Sequence, residues 1–130
     1  MMVVAFTGTR KGLTPGQKLA VTRQLQALRP DKVLHGDCLG ADAEFHDIAY
    51  GLGLNIEIHP CTLHRQRANK FALRVHLPID PLRRNRNMVN LADRVLACPG
   101  ETDEQLRGSG TWATIRYARK INRQLEVIYP

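Results

Sequence analysis

Short apolar runs that break on glycine or proline, each followed by an amphipathic stretch, constrain this chain more than any other feature. Val3 to Thr7 runs into Gly8, and Val33-Leu34 within Asp31 to His35 runs into Gly36. Leu54 to Ile58 alternates up to His59-Pro60, and Val95 to Cys98 ends on Pro99-Gly100. Runs this short and this apolar read as strands buried on both faces, the signature of a parallel sheet. The stretches between them carry helix signals. Thr14-Pro15 and Asp80-Pro81 each offer an N-cap followed by a proline at the first helical position. Pro30 closes the first helix and Gly51 or Gly53 the second.

This alternation predicts one α/β domain over residues 1–130, Rossmann-like and doubly wound. The expected sheet is mostly parallel and five-stranded, with helices on both faces. The strands fall at Val3–Thr7, Asp31–His35, Leu54–Ile58, Val95–Cys98 and Leu125–Tyr129. The helices run from Thr14-Pro15 to Pro30, from Ala43 to Gly51 or Gly53, from Pro81 to about Asn90 and from Thr111 to Arg123. Residues 62–80 read as a partly helical connection. At 130 residues the chain can bury a sizeable core without staples. There is no internal repeat and no low-complexity tract.

In doubly wound folds, ligands sit beyond the carboxyl ends of the strands. Each unusual loop of this chain leaves from such an end: Thr7–Gly12, Gly36–Asp42, Cys98–Gly100 and Gly108–Thr111. They are expected to converge on one crevice. Gly108-Ser109-Gly110-Thr111 opens a helix, where backbone N–H groups and the helix dipole favour an anion. It is neither a Walker loop nor a dinucleotide fingerprint. The ligand-binding candidates are Gly8, Thr9, Arg10, Gly36, Gly40, Asn85, Arg86, Pro99, Gly100, Gly108, Ser109, Gly110 and Thr111. Arg84 and Arg86 lie two apart on a helix, so one of them faces the crevice. Arg86 is expected there, sharing a hollow with Ser109, while Arg83, Arg84 and Arg94 are solvated or packed against loops. Asn85 contacts either a ligand or a neighbouring loop. Trp112 anchors its helix in the core or stacks on a base.

Asp37, Asp42 and Glu44 lie around the second turn and are the catalytic candidates, since a carboxyl can protonate or stabilise in N-glycosidic chemistry. Asp42 either caps the second helix or grips ribose hydroxyls. Glu101 is a further carboxylate near the glycine loop. His35, Cys38, His59, Cys61 and His64 match no strong zinc spacing, so no metal site and no cofactor are assigned.

A net charge of +7 favours an acidic partner such as a nucleotide or, as a lesser alternative, nucleic acid. The basic segment Arg65 to Arg74 holds a single aromatic, Phe71, which is a poor stacking platform for single strands. Three cysteines without paired spacing predict a reducing, cytoplasmic setting. The N-terminus shows no signal peptide, and no apolar run is long enough for a membrane span.

Taken together, Thr7-Gly8-Thr9-Arg10, His35 through Asp42, Arg84-Asn85-Arg86-Asn87-Met88 and Gly108-Ser109-Gly110-Thr111 resemble the SLOG superfamily. That group takes in DNA processing protein A, the Lonely Guy phosphoribohydrolases and the small YspA-type proteins, and the last are the nearest likeness. The resemblance spans nearly the whole chain in the family's order. It implies a Rossmann-like fold that binds nucleotides or nucleotide-derived ligands, and helix faces that pair subunits into a homo-oligomer. Lonely Guy-type enzymes carry a catalytic glutamate two or three positions after their Gly-Thr. This chain has Ala113 and Thr114 there, so whether the ligand is hydrolysed stays open.

Overall fold

A computed structural model describes all 130 residues. The strands are β1 (Val3–Gly8), β2 (Lys32–His35), β3 (Ile56–Ile58), β4 (Arg74–Val75), β5 (Arg94–Cys98) and β6 (Gln124–Val127). The helices are α1 (Pro15–Leu28), α2 (Ala41–Gly51), α3 (Pro81–Leu91) and α4 (Gly110–Lys120), with one 3-10 turn at His64–Gln66. The sheet order is β4-β3-β2-β1-β5-β6, and every pairing is parallel.

The sheet therefore has six strands, not five. The extra one is the two-residue edge strand β4, which lies within the 62–80 connection and pairs Arg74 with Glu57 and Val75 with Ile58. The last helix starts one residue early and stops at Lys120, and the last strand spans Gln124–Val127.

The helix starts follow local chemistry. Thr14 and Gln17 form a reciprocal capping box at α1, and Asp80 accepts the Arg83 N–H at α3. Gln17 does more than cap. Its buried Nε2 donates to the carbonyls of Pro99 and Ile128, both at 2.9 Å, which ties α1 to the turn after β5.

Side chains alternate across β1. Val4 and Phe6 join the core under α1 and α2, while Val3 and Ala5 join the core under α3 and α4. Phe6 stacks on Phe45 of α2 with ring centroids 4.2 Å apart, which sets how closely α2 approaches β1. Trp112 is buried with Ala97 and Ile115, so it anchors α4 in the core. The chain moves outward from β1 through β2 and β3, then returns to β5 on the other side of β1. That reversal opens the sheet between the carboxyl ends of β1 and β5. No helix is long and apolar enough to cross a membrane.

Candidate functional site at the carboxyl ends of the strands

At the reversal point lies a hollow of about 260 Å3. Thr7 to Lys11 form one wall, Arg84 and Asn85 of α3 a second, and Gly108 to Thr111 a third, with Asp42, Cys38 and Glu101 at the sides. The loops after β1 and β5 and the start of α3 thus do meet.

Gly110 and Thr111 open α4, and their backbone N–H groups have no partner within the protein. The two that follow are satisfied by Ser109, whose Oγ accepts the Trp112 N–H at 3.1 Å and whose carbonyl accepts the Ala113 N–H. So Ser109 is the N-cap, and two adjacent donors are left unpaired at the positive end of a helix, on residues that line the hollow. A side chain on Gly110 would meet nothing closer than Asn85 Nδ2 at 3.6 Å. Protein packing therefore does not demand glycine there, whereas an approaching anion does benefit from the bare backbone.

Of the α3 arginines, the one that lines the hollow is Arg84, not Arg86. Arg84 is buried, and its guanidinium is almost fully engaged. Nε donates to Asn85 Oδ1 at 2.7 Å, and Nη1 to the carbonyls of Gly36 and His59 at 2.9 and 3.0 Å. Nη2 lies 3.5 Å from Cys38 Sγ. Arg84 thus joins the carboxyl ends of β2 and β3 to α3. The expectation that Arg86 shares the hollow with Ser109 is not met. Arg86 is exposed on the other side of α3, its guanidinium 5.3 Å from the centroid of the Tyr117 ring. Helix phase explains the swap, because Arg84 and Asn85 lie four residues before buried Met88 and Val89, on the inward face.

Of the three candidate carboxylates, only Asp42 lines the hollow. It is buried, and its Oδ2 accepts the Cys38 N–H at 3.1 Å. Desolvation by burial pushes its pKa up to about 6, against the opposing pull of Arg84. It does not cap α2, whose N-cap is Gly40 with no side-chain bond. Asp37 is fully buried outside the hollow. Its carboxylate receives Arg67 Nη2 at 3.2 Å and the N–H groups of Asn69 and Lys70 at 3.1 and 2.9 Å, so it folds the 67–70 loop. Glu44 also lies outside, where it accepts the Leu13 N–H at 2.8 Å and pairs with Lys18 at 2.7 Å.

The remaining candidates divide in the same way. Gly8, Thr9 and Arg10 line the hollow; Gly36, Gly40, Pro99 and Gly100 do not. Gly36 is glycine because a Cβ would collide with the Arg84 guanidinium. Gly40 has a φ of 87°, and its Cβ would strike the Arg10 backbone. Glu101 accepts the Trp112 indole N–H at 3.1 Å. The basic segment is largely committed, with Arg67 bound to Asp37, Lys70 to Asp47 and Arg74 to Glu57.

Behind the second turn, His35 Nδ1 accepts the Asp37 N–H at 2.9 Å. His35 Nε2 therefore carries the proton and donates to His46 Nδ1, also at 2.9 Å. Burial and the neighbouring His46 push the His35 pKa down to about 3, so the His35 ring is neutral, and burial lowers that of His46 as well.

No family model matches the sequence, and no curated protein matches it. Solved structures do match in fold. The molybdenum cofactor binding protein from the phototrophic bacterium Rippkaea orientalis superposes with a TM-score of 0.75 at 17% identity, over 99% of this chain and 77% of that one. The structural-genomics target TM1055 gives 0.69 at 17% identity, over 96% and 72%. DNA processing protein A from Streptococcus pneumoniae gives 0.71 at 20% identity, over 98% of this chain and half of the other. These structures share one Rossmann-like α/β fold, and this chain has it too.

Proposed function

We propose that this SLOG-type domain binds a phosphorylated nucleotide or nucleotide-derived ligand in the hollow between β1 and β5. One observation carries the reading: the unpaired N–H groups of Gly110 and Thr111 belong to residues that line the same hollow as Asn85 and Asp42. The phosphate rests on the start of α4, where the helix dipole favours it. Asn85 donates to it, since the Asn85 Oδ1 is held by Arg84 and the Nδ2 lies towards Gly110. Arg10 and Lys11 at the rim add attraction for the anion. Asp42 meets the sugar hydroxyls. The hollow lies just below the usual range for small-molecule sites, about 300–1,000 Å3, which favours a monophosphate over a dinucleotide.

A thermal-shift series across nucleoside monophosphates tests this. Ligand at one hundred times its dissociation constant stabilises the fold by about 2.7 kcal/mol. Absence of any shift, with strongly salt-dependent retention of single-stranded DNA instead, replaces the nucleotide reading with a nucleic-acid module.

Asp42 supports a second reading, an N-glycosidase. A carboxyl with a pKa near 6 inside the hollow stays partly protonated near neutrality and can donate to a leaving base nitrogen. Incubation with nucleoside monophosphates then yields free base and ribose 5-phosphate, and Asp42→Asn abolishes the release. Free Cys38, Cys61 and Cys98 suit a cytoplasmic setting. Exposed Phe71, Leu73 and Leu77 along the β4 edge support self-association.

A further inference from the structure

A second hollow, of about 520 Å3, runs along the flank of α3 away from the crevice. It exists because α3 and α4 pack over β1, β5 and β6 and leave the same face of β2 to β4 without a helix. Leu77, Ile79 and Leu91 give it apolar walls. Its volume is within the range of small-molecule sites.

The polar groups in it are arranged for something. His59 is more than nine-tenths buried, and its Nε2 is one of the few buried side-chain atoms with no hydrogen-bond partner. Its ring stacks on His76, centroids 3.9 Å apart and planes within 16°. Across the hollow, Asn90 Oδ1 accepts the Tyr117 hydroxyl at 2.6 Å, which leaves the Asn90 Nδ2 donors free. Asn87 lies one turn earlier on the same flank.

The buried carboxylate nearby is already paired. Glu57 is buried among Lys32, Arg74 and His76 at 2.5, 2.9 and 3.2 Å. The donors of Arg84 are spent on Asn85, Gly36 and His59. Arg84 has no carboxylate partner, but its Nη2 lies against Cys38 on the crevice side, so an ionic ligand here finds no free charged donor to bond, whereas a flat ring with polar edge atoms finds apolar walls and amide donors.

We propose that the α3-flank hollow is a binding site for an uncharged planar heteroaromatic ligand, separate from the β1–β5 crevice. The two share a wall, because Arg84 lines both. His59 holds Arg84 through its carbonyl, so a ligand pressed against His59 acts directly on the residue that orients Asn85. The site stands whether or not the crevice takes a nucleotide.

Titration of isotope-labelled protein with adenine, cytosine and nicotinamide tests this by nuclear magnetic resonance, with benzoate as the charged control. At least one of the three neutral rings is expected to shift the side-chain amide signals of Asn87 and Asn90 and the His59 ring signals saturably. Leu91→Arg removes those shifts and leaves the rest of the spectrum intact; Leu77→Glu serves if Leu91→Arg fails to fold. The proposal is overturned if none of the three moves these signals at millimolar concentration. It is overturned equally if shifts are confined to Thr9, Ser109 and Thr111, if the variants bind like the parent, or if benzoate binds as well as the neutral rings.

Discussion

Arg84 Nε donates to Asn85 Oδ1 at 2.7 Å, and this bond between chain neighbours decides which end of the Asn85 amide lies towards Gly110. The arginine acts on the hollow through the asparagine. Most of its own hydrogens are directed into the protein, towards Gly36 and His59.

Arg84→Ala is expected to destabilise the fold by about 3–5 kcal/mol, because two buried carbonyls and the Asn85 amide lose their partner together. Arg86→Ala is expected to cost only about 0.5–1 kcal/mol, the worth of its contact with the Tyr117 ring. Urea unfolding of the two variants checks the contrast. Equal losses would mean that the assignment of the inward arginine is wrong.

Asn85→Asp keeps an oxygen for Arg84 Nε and places a negative charge beside Gly110. The fold is expected to hold, since the bond to Arg84 becomes charge-assisted. Affinity for a nucleoside monophosphate is expected to fall at least tenfold, about 1.4 kcal/mol. Calorimetric titration of parent and variant measures it.

Ser109→Ala removes the Trp112 N–H cap and is expected to cost about 1 kcal/mol. Gly108→Ala is expected to cost about 1–2 kcal/mol from its φ of 74° alone, since a Cβ there meets no neighbour. Thermal denaturation of both variants separates cap from strain.

The pH dependence of stability has opposing contributions. Asp42 titrates at 3.8 unfolded and about 6 folded. Between these values the folded form holds the extra proton, so this contribution to stability is present below pH 4 and is lost as pH rises through 6. Its size is on the order of 3 kcal/mol. His35 runs the other way. Its folded pKa of about 3 lies below the ordinary 6.5, so its contribution is present above pH 6.5 and is lost as pH falls toward 3. In the parent the two partly cancel between pH 6 and 4. Asp42→Asn is therefore expected to lose stability more steeply than the parent over that range, as read from urea midpoints. Parallel pH profiles would contradict the buried, proton-holding Asp42.

Much of the fold was legible in the chain because its signals are local. Thr14-Pro15 with Gln17, Asp80-Pro81, and the glycines after β1 and β2 each announce an element boundary within a few residues. Two things were not. The edge strand β4 is two residues long and gains its identity from Glu57 and Ile58 across the sheet, which no local pattern reveals. Asp37 looked like a catalytic carboxylate because its task, folding the 67–70 loop, is set by residues thirty positions away. The choice between Arg84 and Arg86 was open to correction from sequence. The buried pair Met88-Val89 repeats the pair Arg84-Asn85 four residues on, so helix phase already turned Arg84 inward.

The central claim is that the start of α4 and the Asn85 amide hold a phosphate between them. Adenosine 5′-monophosphate titrated into isotope-labelled protein tests it most directly. The account predicts saturable shifts in the backbone N–H signals of Gly110 and Thr111 and in the Asn85 side-chain amide, all with one dissociation constant and all weakened in Asn85→Asp. Shifts that spare Gly110 and Thr111, or that persist unchanged in the variant, would contradict it.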